Sequence, residues 1–130
     1  MILLVDDDID DLELIQEVLY DNNYKGEINL ALNGQILMDR LYNSAEKDKP
    51  ELILLDLNMP LKNGFQVLEE IKQHPGLKSI PVMILTASNN KEDEHRCFEL
   101  GCSLFWRKPD TLTEYNSLVT LIINFLQSRS

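Results

Sequence analysis

Four short apolar runs, each closed by a polar side chain, constrain this chain more than any other feature. Ile2-Leu3-Leu4-Val5 ends in Asp6, Asp7 and Asp8, and Leu52-Ile53-Leu54-Leu55 ends in Asp56. Val82-Met83-Ile84-Leu85 ends at Thr86, and Leu104-Phe105-Trp106 ends near Lys108. Runs this short, with no polar alternation, read as strands covered on both faces. In an open α/β sheet the edge where the strands stop is where ligands bind. Here that edge carries carboxylates, one hydroxyl and one ammonium, a set suited to a divalent cation and a phosphoryl group.

Helical patterns separate the runs. Leu12, Ile15 and Leu19 give one face of a helix over about Ile9–Asp21, closed by Asn22-Asn23. A weak strand near Glu27–Leu32 belongs at an edge, and Asn33-Gly34 starts a second helix with Ile36, Leu37 and Leu41 inward. Ser44–Pro50 is a charged loop before the strand Glu51–Asp56. Pro60 and Gly64 make the next stretch a loop. A third helix over about Phe65–Gln73 buries Val67, Leu68 and Ile71. Pro81–Thr86 is the fourth strand, and Asn89 with Glu92 has capping-box spacing for a fourth helix ending at Gly101. Ser103–Arg107 is the fifth strand. Thr111 and Glu114 are placed to cap a last helix with Leu118, Leu121, Ile122 and Phe125 as its stripe, leaving Ser128 to Ser130 beyond it. Five βα units in succession imply a five-stranded parallel sheet with helices on both faces and right-handed crossovers.

The chain has 130 residues, enough for one core and too few for two ordinary domains. It carries 12 basic and 22 acidic residues, a net charge of −10 with no basic cluster. Nucleic acid and anionic membranes are therefore poor partners, since both need a cationic footprint. No apolar run approaches the ~20 residues of a membrane span, and no secretory signal is seen. Cys97 and Cys102 lack the spacing and the second pair of a metal site and read as reduced packing residues of a cytoplasmic protein.

Magnesium is a hard cation that takes carboxylate oxygens and keeps several waters. Asp7 and Asp56 suit direct ligation, with Asp6 acting through water. Crowded carboxylates repel, which raises at least one pKa until a cation offsets the repulsion. Asp56 is then placed to attack phosphorus. Lys108 offers a charge and Thr86 a hydrogen bond to the phosphoryl oxygens, while small Ala87 keeps the approach open. Asp8 reads as the cap of the first helix.

The motifs Leu3-Leu4-Val5-Asp6-Asp7-Asp8, Leu54-Leu55-Asp56-Leu57-Asn58-Met59-Pro60, Gly64, Leu85-Thr86-Ala87 and Lys108-Pro109 resemble, in order, those of response-regulator receiver domains of two-component signalling, the CheY-like doubly wound fold. The resemblance covers essentially the whole chain and implies a receiver over residues 1–130 with no output domain. It makes Asp56 the phosphoacceptor and Asp6 with Asp7 the acidic pair. Mg²⁺ is the implied cofactor, completed by the Asn58 carbonyl. Thr86 becomes the switch hydroxyl, Lys108 the phosphate-binding lysine, and the Lys108–Pro109 bond cis. Phe105 takes the aromatic switch position, coupling the site to the surface of the fourth helix, fifth strand and fifth helix. The fourth helix has little apolar surface beyond Cys97 and Phe98, so it should shift easily.

Some positions depart from the family pattern. Asn63 stands where many relatives carry an acid, which bears on local capping. Asp110 replaces a frequent apolar residue, and Trp106-Arg107 is an unusual pair, suited to a protein contact where Trp106 is exposed, with burial as a core Trp the open alternative. Ser88 and Asn58 flank the phosphoryl site and could tune water access.

The implied protein is a stand-alone phosphoacceptor, not an enzyme in the ordinary sense. Its partner would be a sensor histidine kinase or phosphotransfer protein, with a homodimer through the fourth-helix, fifth-strand and fifth-helix face. A narrower likeness is to single-domain regulators found beside phytochrome-like and hybrid kinases. Two rivals stay open: a pseudo-receiver that only binds partners, and an aspartyl-nucleophile phosphohydrolase using Asp6-x-Asp8.

Overall fold

The computed structural model describes residues 1–88 and 90–129. Its strands are β1 (Ile2–Val5), β2 (Ile28–Ala31), β3 (Leu52–Leu55), β4 (Val82–Thr86) and β5 (Leu104–Arg107). Between and after them run α1 (Ile9–Asp21), α2 (Gly34–Tyr42), α3 (Gly64–Gln73), α4 (Lys91–Leu100) and α5 (Leu112–Arg129), with a 3₁₀ turn at Glu46–Asp48. All strand pairs are parallel, in the order β2-β1-β3-β4-β5. The weak second strand lies at an edge, as its sequence predicts. This order reverses between β1 and β3, so the crevice for a ligand opens beyond their C-terminal ends.

Strand alternation divides the core in two. Leu3, Val5, Ile53, Leu55 and Ile84 face one way and meet α2, α3 and Cys97 of α4. Ile2, Leu4, Leu52, Leu54 and Met83 face the other way and meet α1 and α5. Both faces being covered explains why these strands read as unbroken apolar runs. Leu118 and Ile122 are wholly buried on α5, and each such side chain contributes about 1.5–3 kcal/mol. On α4 only Cys97 is buried, and Arg96 adds a contact 4.1 Å above the Phe65 ring. The little apolar surface expected on the fourth helix is what the fold contains, with Phe98 47% exposed.

Caps define the helix starts. The Asp8 side chain accepts from the Asp10 and Asp11 N–H groups, Asn33 from Ile36, and Asn63 forms a full capping box with Gln66. Asn90 caps α4 by accepting from the Glu92 N–H; the Asn89 part of the expected box lies outside the described residues. Thr111 accepts from the Glu114 N–H, while the Glu114 carboxylate reaches the Asp110 N–H rather than Thr111.

Four expectations need correction. On α2 the inward face is Gly34, Leu37, Met38 and Leu41, and Ile36 is 43% exposed. Gly34 sets that rotation, because a Cβ there would stand 2.6 Å from the Lys62 carbonyl oxygen. Asn63 caps α3, which therefore begins at Gly64, one residue early. The last helix continues to Arg129, helped by Ser128 donating to the Phe125 carbonyl and Arg129 stacking on the Phe125 ring. Finally, the Lys108–Pro109 bond is trans, since no cis bond occurs among the described residues; trans is the form X-Pro bonds favour by about 0.5–1 kcal/mol.

Candidate functional site

The strand ladder runs one residue past each strand and fixes the site from the backbone up. The Asp6 N–H donates to the Ala31 carbonyl at 3.2 Å and the Asp56 N–H to the Val5 carbonyl at 3.0 Å. The Lys108 N–H donates to the Thr86 carbonyl at 2.8 Å. Asp6, Asp56 and Lys108 are thereby carried on three neighbouring regions of one rim. Asp6 is 3% exposed and Asp56 6%, whereas Asp7 and Asn58 face solvent.

One carboxylate oxygen from each of Asp6, Asp7 and Asp56 lies within 4.8 Å of the other two. The Lys108 ammonium sits 2.6 Å from Asp6 Oδ2, 3.0 Å from Asp11 Oδ2 and 3.6 Å from Asp56 Oδ2. Burial raises the Asp6 carboxyl to about 6, with Asp56 adding to the rise and Lys108 and the Asp8 N–H opposing it. Asp56 is raised too, by burial first, against Lys108, the Asn58 N–H and a hydrogen bond from Asp6. Burial works against the Lys108 ammonium, but its bonds to Asp6 and Asp11 overcome that and raise its pKa.

These residues fit a hard divalent cation. The donors are all oxygens, they converge, and burial raises two of the three carboxyls above their usual range, a rise that a bound cation would oppose. Lys108 alone cannot balance Asp6, Asp7, Asp11 and Asp56.

Thr86 is fully buried, and its Oγ1 accepts from the Ser88 N–H at 3.3 Å. Ser88 Oγ donates to Asp93 Oδ2 at 2.9 Å and accepts from the Asn90 N–H at 3.1 Å. Phe105 pairs with Ile84 and Arg107 with Thr86, so Phe105 and Thr86 share the face that α4 covers. Phe105 is half-buried there. Trp106, on the opposite face, is 36% exposed beside exposed Arg107. Asp8 is spent on the α1 cap.

Every site residue named from the sequence falls on this rim or on the strand beside it. Asp11 was not foreseen. Its only sequence signal is a position four residues after Asp7, in the first turn of α1. The tie from Ser88 to Asp93 was also missed, since a five-residue separation across a turn carries no pattern.

Comparison with known proteins gives the same picture. The sequence matches the family described as response regulator receiver domain over residues 2–120. It is 40% identical over 128 residues to response regulator Rcp1 of Synechocystis sp., covering 96% of this chain and 87% of that protein. The chain spans 5%, 52% and 56% of three longer curated relatives, and 72% and 84% of two others. Among solved structures, the phosphorylated cyanobacterial phytochrome response regulator RcpA superposes with a TM-score of 0.89 at 36% identity, over 99% of this chain and 94% of that one. The Mn²⁺-bound form of Rcp1 superposes with a TM-score of 0.80 at 40% identity, over 95% and 91%.

Proposed function

The chain belongs to the response regulator receiver domain family, and from that premise we propose that it takes a phosphoryl group from a kinase phosphohistidine onto Asp56. The observation that carries this reading is the convergence of Asp6, Asp7 and Asp56 oxygens within 4.8 Å, with Lys108 reaching into the same cluster. The Mn²⁺-bound and phosphorylated states named for its two structural relatives support both the metal and the phosphoryl group.

Asp6, Asp7 and Asp56, with the Asn58 carbonyl, would hold Mg²⁺, which supplies positive charge for the phosphoryl oxygens. An Asp56 carboxylate oxygen attacks phosphorus as the P–N bond breaks. The electron pair returns to the imidazole nitrogen, which takes up a proton, and an acyl phosphate remains. Lys108 pairs with the phosphoryl oxygens and Thr86 donates its hydroxyl to one of them. Turning toward that oxygen takes the Thr86 side chain away from the Ser88 N–H and from the face it shares with Phe105. Phe105 then fills the space left, and α4, held by one buried side chain, moves with it.

The resulting surface of α4, β5 and α5 is the contact face for partners, including a second copy of the chain, in the cytoplasm. The donor is a histidine kinase or a phosphotransfer protein, of the phytochrome-linked kind named for RcpA. The pseudo-receiver reading is disfavoured because the acids and the lysine are all in place. The phosphohydrolase reading needs Asp8 as a free acid, and Asp8 is committed to capping α1.

Incubation with phosphoramidate and Mg²⁺, read by intact mass, tests this. A gain of ~80 Da, one phosphoryl group, that is lost in Asp56→Asn supports the receiver. Absence of any gain supports the pseudo-receiver, and turnover of a phosphate ester supports the hydrolase.

A further inference from the structure

We propose that Asp11 is a positioning residue that draws Lys108 away from Asp56 and so restrains phosphorylation of the site. The inference rests on the receiver reading above for its consequence, but not for its geometry. Lys108 Nζ is 3.0 Å from Asp11 Oδ2 and 3.6 Å from Asp56 Oδ2. With Asp6 at 2.6 Å, the ammonium has its two close partners on the α1 side of the crevice. An ammonium has three donor hydrogens, and two are committed before a phosphoryl group arrives.

The contact is built into the fold. Asp8 caps α1 and accepts from the Asp11 N–H, which fixes where the Asp11 Cα lies. From the first turn of α1 the Asp11 carboxylate meets the same Lys108 ammonium that Asp6 holds at the end of β1. Asp11 is 30% exposed, so it can take up water when the lysine leaves. The Asp56 side chain is 7% exposed and cannot do so as readily. The pair therefore opens at small cost, as a restraint must, and Lys108 divides its time between Asp11 and the phosphoryl position.

Asp10 provides an internal control. It carries the same charge, lies in the same first turn and is fixed by the same Asp8 cap. No ion pair joins it to Lys108, whose carboxylate partners among the described residues are Asp6, Asp11 and Asp56. Asp10→Asn and Asp11→Asn therefore remove the same formal charge and the same helix-terminus interaction, and only the second frees the lysine.

Two readouts decide the matter on wild type, Asp10→Asn and Asp11→Asn full-length chains. The first is the rate of Lys108 acylation by an amine-directed acetylating reagent, mapped by peptide mass, with no phosphodonor present. The second is the initial rate of ~80 Da adduct formation from phosphoramidate in saturating Mg²⁺. Asp11→Asn is expected to raise both by about three- to fivefold, the scale of a partly exposed ion pair, and Asp10→Asn to leave both within about a factor of two of wild type. Equal changes in the two variants would reduce Asp11 to a contributor to the general field and overturn the proposal. Unchanged Lys108 acylation in Asp11→Asn overturns it as well. If wild type forms no adduct, the receiver reading fails, and the acylation rates still decide whether Asp11 holds the lysine.

Discussion

Ser88 Oγ lies 2.9 Å from Asp93 Oδ2, and through it the buried Thr86 hydroxyl is tied to the first turn of α4. The Ser88 N–H donates to Thr86 Oγ1, and the Asn90 N–H closes back on Ser88 Oγ. On the proposed function, the turn of Thr86 that breaks its bond from the Ser88 N–H would also loosen this tie to α4.

Ser88→Ala removes the side-chain half of this tie, a loss of about 1 kcal/mol. Because α4 buries only Cys97, the loss falls on local opening rather than on the whole fold. Amide hydrogen exchange over residues 91–100 should quicken about fivefold, since 1.4 kcal/mol is a factor of ten. Exchange at Leu118–Ile122 of α5 should not change. Equal acceleration in both helices, or none in α4, contradicts the tie.

The carboxyl pair makes a pH prediction whose sign is definite. Asp6 rises from 3.8 to about 6 on folding, mainly by burial, and Asp56 rises with it. Between those values the folded chain binds more protons than the unfolded chain, so stability falls as pH increases. The metal-free protein should lose about 2 kcal/mol from Asp6 between pH 4 and pH 7. Asp6→Asn should flatten most of that slope in urea titrations. Mg²⁺ should restore stability at pH 7 and do little at pH 4, because binding must displace the protons. A stability that climbs with pH in the absence of metal rules this account out.

Much of this was legible beforehand, for identifiable reasons. A strand buried on both faces leaves an unbroken apolar run, so Ile2–Val5 and Leu52–Leu55 declared themselves, and the residue after each run is placed by the backbone ladder. Helix rotation is less visible. Ile36 looked inward because it is apolar, yet the close approach of Gly34 to Lys62 turns it out and brings Met38 in. Contacts made by long side chains across the rim leave no periodic trace, which is why Asp11 was missed while Lys108 was not. The trans Lys108–Pro109 bond corrects an expectation that came from resemblance, not from the residues themselves.

Gly64 explains how the β3–α3 loop holds Asp56 in place. A Cβ there would lie 2.5 Å from the Asp56 carbonyl oxygen and 2.7 Å from Leu57 Cα, both backbone atoms that cannot step aside. Gly64→Ala should destabilise by about 1–3 kcal/mol and weaken divalent-cation binding, because the end of β3 has to move. Gly76→Ala serves as contrast: its nearest neighbour is the His74 ring at 3.1 Å, and its effect should stay within about 0.5 kcal/mol. Urea midpoints and Mn²⁺ titrations of the two variants measure both differences, and matching behaviour would sink the explanation.

The same loop stores strain at Leu61. Its φ is 68°, it is 84% exposed, and the Lys62 N–H donates to the Pro60 carbonyl around it at 2.7 Å. That is a γ-turn of the rare positive-φ kind, occupied by a residue for which the left-handed region costs about 1–2 kcal/mol. Neighbouring contacts enforce it: Lys62 pairs with Glu70, Asn63 caps α3, and the Gly64 N–H donates to the Leu57 carbonyl at 2.9 Å. Strain that neighbouring contacts hold in this way is characteristic of functional loops. Leu61→Gly removes the steric cost but adds about 0.4–1 kcal/mol of unfolded-chain entropy, so the net gain should be at most about 1.6 kcal/mol. Leu61→Ala keeps the Cβ, and with it the strain, and the exposed side chain it deletes packs on little. Its stability should therefore match wild type. The decisive measurement is the order of urea midpoints at constant slope: Leu61→Gly above Leu61→Ala and wild type together. A glycine variant that falls below the alanine variant would mean the turn is not strained at Leu61.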